Sequence, residues 1–355
     1  MASDSRMSMG FTIGLDMGDR RSDLCVLDPT GAVQARLQAA TTEPALVAAL
    51  RRYPQARVVL EVGTHSPWVS RLLERHGHEV IVANPRRVRR IAGLEDKSDR
   101  IDAELLARLG RVDPSLLRPI AHRGEDVQRD RALLRVRDAL VRSRSALVTQ
   151  ARCLGKSLGQ RFPRCDAHSF ARRMREKQLD GAFPGFPALL AMVAELTAQI
   201  RVLDGAIERL GREQYPDTLG LRQVPGVGPI TALAYVLTLE DPQRFARGRA
   251  VGAYLGLRPK KRQSGEHDPE LRITKAGDPY LRRMLVQSAQ YILGHFGPDT
   301  ALRRFGERLI ARGGRSARKK AAVAVARKLA VLLHRLWVTS ERYEPLRGVP
   351  VEAVA

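Results

Sequence analysis

The order of the apolar runs between residues 11 and 113 constrains the fold more than any other feature of this chain. FTIGLDMG and SDLCVLD are apolar runs joined by a short polar turn, and AVQARLQA follows after a Pro-Thr-Gly turn. This pattern predicts three antiparallel strands. EPALVAALRRY and SPWVSRLLERHG have helical spacing, ARVVLEVG and EVIVANP are short strand runs, and DRIDAELLARLGRV is an amphipathic helix. The sequence therefore predicts an α/β domain over residues 8–118, with three antiparallel strands followed by helix, strand, helix, strand and helix.

The rest of the chain is predicted to be helical. Apolar residues recur at heptad-like intervals in LLRVRDALVRSRSALV and LLAMVAELTAQIRVLDGAI. We expect two long helices in a hairpin or coiled coil over residues 125–214, connected through residues 161–185. A mostly helical third domain over residues 217–340 gives the chain an α/β plus α fold class.

The third domain opens with LRQVPGVGPITALAYVLTL, in which Gly226 and Gly228 form a tight turn before a helix. This arrangement is typical of a helix-hairpin-helix motif, whose glycines let the backbone approach a ligand and whose helix amides bind phosphate. A tight connection between two helices needs the same glycines, so the motif alone leaves both interpretations open.

The charge of the chain favours a polyanionic partner. Sixty-one Lys and Arg against 38 Asp and Glu give a formal net charge of +23, which indicates DNA, RNA or both. The first ten residues lack the apolar run of a signal peptide, so we expect a soluble, intracellular protein with no membrane partner. Its three cysteines have no metal-ligand spacing and suit a reducing compartment.

Three basic stretches lie in the third domain, one of them a basic amphipathic helix in ITKAGDPYLRRMLVQSAQYIL, and the other two supply candidate nucleic-acid contacts. Arg258, Lys260, Lys261 and Arg262 lie in one loop, and Arg318, Lys319 and Lys320 lie in the stretch 311–330, which has seven Lys or Arg and no acid. A basic run is more often a solvated face than a binding site. Their recurrence in one region favours a track for a phosphate backbone.

Four acids stand out within this basic chain. Asp16 is central in GLDMG, Glu61 ends VVLEVG, and Asp99 and Asp102 lie three residues apart at the start of a helix. The predicted strand order is that of a ribonuclease H-like fold, in which the first two acids lie on neighbouring strands. Each acid also has a plainer explanation. Ser98 or Asp99 could cap the helix, and Asp102 could interact favourably with the helix dipole. Glu61 could pair with an arginine, and Asp16 could belong to the phosphate-binding hairpin of an actin-like or sugar-kinase ATPase. Their coincidence favours a site for two divalent cations.

These motifs together resemble the DEDD transposases of the insertion-sequence 110 family. The first domain matches through GLDMG, LEVG and KSDRIDAELLA. The last domain matches through VPGVGPITA, FARGRAVGAYLGLRPKKRQSG and ITKAGDPYLRRML. The matches cover most of residues 11–295 in order. The resemblance implies a ribonuclease H-like (RuvC-like) domain, a helical coiled-coil middle and a C-terminal transposase domain.

The resemblance also implies a mechanism. The acidic tetrad of the family falls on Asp16, Glu61, Asp99 and Asp102, which would bind Mg²⁺ or Mn²⁺, and its nucleophilic serine falls on Ser264. DNA would be broken and rejoined through a phosphoserine intermediate. The implied partners are the element ends, a target DNA, a structured noncoding bridge RNA that pairs with both, and further copies of the chain as a dimer or tetramer.

Other functions stay open at this point. Without the resemblance, Ser264 would be an ordinary Ser-Gly turn and His267 an ordinary surface histidine. A metal-dependent junction nuclease that uses water would leave Ser264 structural. An actin-like ATPase would need a second phosphate hairpin, which the sequence does not show. A non-enzymatic scaffold would explain the charge but not the acids.

Overall fold

The computed structural model describes residues 10–86, 88, 99–262 and 271–348, with side chains left out for residues 99–101. The chain divides into two compact units, Met1–Arg123 and Gly124–Ala355. Ser264, His267 and Ser98 lie outside the described residues, and so does the side chain of Asp99.

The first unit is built on a five-stranded mixed sheet with the strand order β3-β2-β1-β4-β5. Strands β1, β2 and β3 are antiparallel, whereas β4 and β5 run parallel to β1. The elements are β1 (Thr12–Met17), β2 (Arg21–Leu27), β3 (Val33–Ala40), α1 (Glu43–Leu50), β4 (Arg57–Glu61), α2 (Ser66–Arg75), β5 (Glu79–Ala83) and α3 (Asp99–Val112). This is the predicted order of elements, and the parallel pairing of β1 with β4 confirms that they are neighbours.

Helices cover both faces of this sheet. Ile13 and Leu15 pack with Leu46 of α1 and Leu72 of α2 in one apolar core. Because side chains alternate along a strand, Gly14 faces the opposite side, where α3 packs. The apolar stripe of α3 closes this second face.

The second unit is helical in its described part, apart from an isolated β-bridge between Pro259 and Ile273. Its helices are α4 (Glu125–Ser157), α5 (Phe170–Glu176), α6 (Phe186–Glu213), α7 (Asp217–Leu221), α8 (Pro229–Leu239), α9 (Arg249–Tyr254), α10 (Pro279–Ile292), α11 (Ala301–Ala311) and α12 (Ala317–Thr339). The long helices α4 and α6 pack together, as the heptad-like spacing predicts. The connection between them contains the short helix α5, which the sequence did not predict.

The core of the second unit extends from the long helices into the C-terminal helices. Leu134 of α4 and Ile207 of α6 belong to the same buried cluster as Leu233 of α8, Leu285 of α10 and Leu329 of α12. A separate cluster around Phe170 and Phe186 packs the far end of the long helices. The division at residues 214–217 into two domains stays a prediction, since one core joins the residues on either side.

One described helix, α6, is long and apolar enough to cross a membrane by length and composition. The same property is common in core helices of soluble proteins, and α6 packs against α4 and contributes to the shared core. It does not indicate a membrane protein.

Candidate active site and nucleic-acid interface

Asp16 and Glu61 lie at the same edge of the sheet. In the parallel pair β1 and β4, Leu15 is opposite Leu60, and each acid is the next residue along its strand. Asp16 is two residues beyond Gly14 and Glu61 is two beyond Val59, so both lie on the face covered by α3. Both are half-buried. The register thus brings the two strand acids to adjacent positions, as the sequence predicted.

Helix α3 runs antiparallel to these two strands. A Cβ built on Gly14 would lie 1.8 Å from the Ala103 carbonyl oxygen, and one on Gly110 would lie 2.2 Å from Val59 Cγ2. Near the C-terminal end of α3, the Gly110 carbonyl accepts a hydrogen bond of 3.1 Å from Arg57, the first residue of β4. The first turn of α3 therefore lies near the ends of β1 and β4. Asp99 and Asp102 belong to that turn, and the Asp102 side chain is half-buried.

Ion pairs and hydrogen bonds hold α3 across the hairpin. Glu104 pairs with Arg36 of β3 and accepts a hydrogen bond of 2.8 Å from Arg108 Nε. The hydrogen bond from Arg108 lowers the pKa of Glu104, against burial, which acts in the opposite direction. Near the C-terminal end of the helix, Arg111 donates to the Pro29 carbonyl at 2.6 Å. These contacts fix the orientation that brings the acidic first turn to the sheet edge.

A fifth acid, Asp23, lies at this edge. It is the Cα partner of Asp16 in the antiparallel pair β1 and β2, so the two carboxylates lie on one face. Asp23 accepts a 3.4 Å hydrogen bond from Gln38 and is half-buried. The sequence pattern alone does not indicate this position, because the position of Asp23 depends on the hairpin register. Counting the same number of residues outward from the turn on each strand pairs Asp16 with Asp23, and this count could have indicated the register.

The acids at this edge fit a hard divalent cation in their chemistry, since carboxylate oxygens are ligands that Mg²⁺ and Mn²⁺ prefer. Like charges opposed across a sheet are unfavourable without a cation, and Asp16 and Asp23 are so opposed. Among the described side chains, no three His, Cys, Asp or Glu lie close enough together to hold a metal ion. The structure therefore places the strand acids and Asp102 at one edge without joining them in a closed ligand set, and the Asp99 side chain is not described.

Ser264 belongs to a segment whose two ends are held in a short antiparallel ladder. Lys260 donates its backbone N–H to the Arg272 carbonyl at 3.0 Å, and Thr274 donates to the Arg258 carbonyl at 2.9 Å. The described part of this ladder stops at Arg262 and resumes at Leu271. The serine itself lies outside the described residues, so its predicted role is untested.

The basic candidates are exposed. Arg258, Lys260, Lys261 and Arg262 are exposed in the ladder strand that leads to residue 263, and Arg318, Lys319 and Lys320 are exposed in the first turn of α12. Cations at a helix N-terminus oppose the helix dipole, and that turn has neither an acid nor a side-chain cap. The helix dipole therefore gives no reason for three cations at this position, which favours a role in binding an anion.

Gly226 and Gly228 lie in the predicted turn before α8. Gly226 has φ of +82°, and a Cβ there would lie 2.9 Å from the Ser288 carbonyl oxygen of α10. Only glycine suits this conformation and contact. Gly228 precedes α8 as its N-cap without a side-chain cap. Both glycines line an open cavity of about 460 Å³ together with Thr231, Gln287 and Tyr291.

Comparison with known proteins identifies the class of this chain. Residues 13–159 match a model for the DEDD domain of IS110 elements, described as a transposase. Residues 220–305 match a model described as the transposase IS116/IS110/IS902 family. A DEDD domain implies a ribonuclease H-like fold and the use of a divalent metal ion, and the mixed sheet of the first unit agrees with that fold.

Similar proteins come from insertion elements. The transposase for insertion sequence element IS1111A of Coxiella burnetii is 30% identical over 256 residues, which are 70% of this chain and 68% of that protein. The transposase for IS1328 of Yersinia enterocolitica is 29% identical over 288 residues, 78% of this chain and 82% of that protein. The chain belongs to the IS110 family of insertion-sequence transposases, and as a DNA transposase it acts on DNA.

Proposed function

We propose that this transposase cleaves and rejoins DNA with four acids, Asp16, Glu61, Asp99 and Asp102, and a serine nucleophile, Ser264. The observation that carries the first part is the convergence of three acid-bearing element ends at one sheet edge: the ends of β1 and β4 and the start of α3. The serine is proposed from the family resemblance alone. The first unit would be RuvC-like, and the turn at Gly226 and Gly228 would act as a helix-hairpin-helix motif.

The four acids would hold Mg²⁺ or Mn²⁺. Bound there, such a cation offsets negative charge on a scissile phosphate and on the attacking and leaving oxygens. The acids themselves would orient the cation, and α3, held by Glu104 and Arg111, would keep Asp99 and Asp102 against the strand acids. Without a cation these carboxylates would repel DNA, so their presence in a basic protein supports a role in binding metal.

The serine step conserves the energy of the broken bond. The oxygen of Ser264 forms a bond to phosphorus, the bond from that phosphorus to one bridging oxygen of the strand breaks, and the serine proton leaves to water while the released oxygen takes up a proton. Attack by another strand's hydroxyl reverses these bonds and frees the serine. A covalent link of protein to DNA is therefore the signature of this mechanism.

The proposed partners are the element ends, a target DNA and a structured noncoding RNA that pairs with both, in the cytoplasm at the nucleoid. Support for an RNA is indirect: the charge of +23 suits a large polyanion. The protein would work as a dimer or tetramer. Val136, Met192 and Val202 on the two long helices are more than half exposed, and a second copy could cover them.

The experiment that tests this function is the trapping of a protein–DNA adduct on a denaturing gel, with element-end DNA and Mg²⁺. Wild type should form the adduct. Ser264→Ala should bind DNA with unchanged affinity and form none, and Asp16→Asn and Glu61→Gln should also form none, because all act in one reaction. A matched control is Ser157→Ala, at the end of α4, which removes a hydroxyl elsewhere in the chain and should behave as wild type.

Three results would contradict the proposal. Cleavage by wild type without any adduct, together with normal cleavage by Ser264→Ala, would favour a nuclease that uses water. Full activity of Asp16→Asn and Glu61→Gln, or of wild type in EDTA, would remove the acids from the reaction. ATP hydrolysis lost on mutation of Asp16 would instead favour the actin-like alternative.

A further inference from the structure

Two aromatic side chains of the second unit are exposed close together in the sequence. The chain has 8 Phe, 7 Tyr and 2 Trp. Among the described residues of these types, only Tyr291 and Phe296 are exposed, at 47% and 81%. A single exposed apolar side chain is ordinary on a protein surface. Two exposed rings within six residues, in a chain that at least partly buries its other aromatic side chains, indicate a partner.

The backbone that carries Phe296 is fixed on both sides. Arg303 of α11 donates from one guanidinium nitrogen to the Gly294 carbonyl at 2.8 Å and to the Gly297 carbonyl at 2.5 Å. A Cβ on Gly297 would lie 2.2 Å from the Ile292 carbonyl oxygen, so this turn also packs closely against the end of α10. The exposed ring of Phe296 therefore stands on a rigid turn.

Tyr291 lies in the last turn of α10, against the turn at Gly226. A Cβ on Gly226 would lie 3.1 Å from Tyr291 Cδ1, so the missing side chain lets the Tyr291 ring approach the turn. Tyr291 lines the open cavity of about 460 Å³ together with Gln287, which lies one turn earlier on α10. That volume lies within the roughly 300–1,000 Å³ of small-molecule sites. The exposed Gln287 amide has both a donor and an acceptor, which suits the edge of a nucleobase.

The charge of this region favours a polyanion over a second copy of the chain. Residues 279–316 have seven Arg and no Lys, against two acids, Asp299 and Glu307. A second copy would bring the same excess of positive charge to a symmetric contact, which is unfavourable. Exposed aromatic rings on a basic surface are typical of proteins that stack on the bases of a single strand.

We propose that Tyr291 and Phe296 stack on unpaired bases of single-stranded DNA. In a duplex the neighbouring bases cover each base face, so a protein ring can stack only on a base that has left the duplex. Both rings are held by backbone contacts before DNA arrives, so stacking costs little conformational entropy. The inference goes beyond the proposed chemistry, since it rests on the action of the chain on DNA and not on the four acids or the serine.

The test measures binding to a single-stranded oligodeoxynucleotide and to the duplex of the same sequence, in EDTA so that no metal-dependent cleavage occurs. Phe296→Leu and Tyr291→Leu keep an apolar side chain and remove the ring. Each should weaken binding to the single strand about tenfold and binding to the duplex by no more than about twofold. The slope of log affinity against log salt should stay as in wild type, because stacking releases no counterions. A 2-aminopurine base in the single strand, whose fluorescence stacking quenches, should be quenched less by either variant.

The matched variants Phe296→Tyr and Tyr291→Phe keep the rings and should bind the single strand as wild type does. A further control is Leu158→Ala, which truncates a side chain just beyond α4 that is 57% exposed and should leave binding unchanged.

Wild-type affinity of either leucine variant for the single strand would overturn the inference, and so would an equal loss on single strand and duplex. A loss seen only with single-stranded RNA would assign the rings to RNA and also overturn it. A changed oligomeric state with unchanged DNA binding would show that a second copy covers the rings. Should Tyr291→Leu not fold, Phe296→Leu decides, since its side chain is largely exposed. Because binding alone is measured, failure of the proposed acids or serine would leave this result unaffected.

Discussion

Asp23 lies across the hairpin from Asp16, and this pairing has an energetic consequence that can be measured. Two carboxylates directly opposed in a sheet destabilise it, and a cation bound by both would remove this repulsion. We predict that Mn²⁺ raises the melting temperature of wild type more than that of Asp23→Asn. Without metal, Asp23→Asn should be as stable as wild type or slightly more stable.

The control for this prediction is Glu79→Gln, which removes one negative charge at the opposite end of the sheet, where Glu79 pairs with Arg57. Its response to Mn²⁺, followed in the same thermal melts, should equal that of wild type. An equal Mn²⁺ response in Asp23→Asn would show that Asp23 does not act at the metal site.

Single residues differ in how far the sequence could place them. Asp16 and Glu61 could be placed because each interrupts an apolar strand run, and the positions of both follow from one strand pairing. Asp23 begins its run and looks like part of a turn until the register is known. The pairing of Asp278 with Arg131 joins residues 147 positions apart, and no local pattern in the sequence connects such residues.

At the scale of elements, the periodicity of the sequence predicted the strands and long helices, but not how α3 docks. The apolar stripe of α3 indicates a buried face. The direction of α3 across the sheet depends on close contacts at Gly14 and Gly110, where a Cβ would clash, and these contacts can be recognised only in the folded structure. The short helix α5 was missed because its seven residues, FARRMRE, lie in a stretch rich in turn residues. Local propensity is weak over so few residues.

The docking of α3 gives a prediction for Gly14→Ala. The added methyl group would lie 1.8 Å from the Ala103 carbonyl oxygen and 2.6 Å from the Ala107 nitrogen, so α3 must shift away from β1. We expect a stability loss of at least about 1–3 kcal/mol, the usual cost of overpacking, and loss of DNA cleavage because Asp99 and Asp102 move with the helix.

The matched control for Gly14→Ala is Gly63→Ala, since a Cβ at Gly63 meets nothing within 4 Å. It should melt and cleave as wild type does. Thermal melts and cleavage assays on both variants provide the measurement. A Gly14→Ala protein with wild-type stability and activity would mean that α3 does not pack on β1 as described.

At the scale of the whole molecule, the charge of +23 could act either as a diffuse field or through defined phosphate contacts. The sequence alone cannot separate these, because composition is the same in both cases. The structure adds that Arg318, Lys319 and Lys320 are exposed at the start of α12, where they oppose the helix dipole. Their removal relieves this opposition to the dipole, and thermal melts of the variant separate a loss of binding from unfolding.

We predict that changing Arg318, Lys319 and Lys320 to glutamine weakens DNA binding and flattens its salt dependence. Each lost phosphate contact lowers the slope of log affinity against log salt by roughly 0.9, so the triple variant should lose up to about three units of slope. A control variant with Arg51, Arg52 and Arg75 changed to glutamine removes the same charge from exposed positions of the first unit. Binding titrations across a range of salt concentrations distinguish the two cases: a defined track requires that the slope change in the first variant only. Equal flattening in both variants would mean that the basic stretch of α12 contributes only to a diffuse field, since a distributed charge weakens binding wherever it is removed.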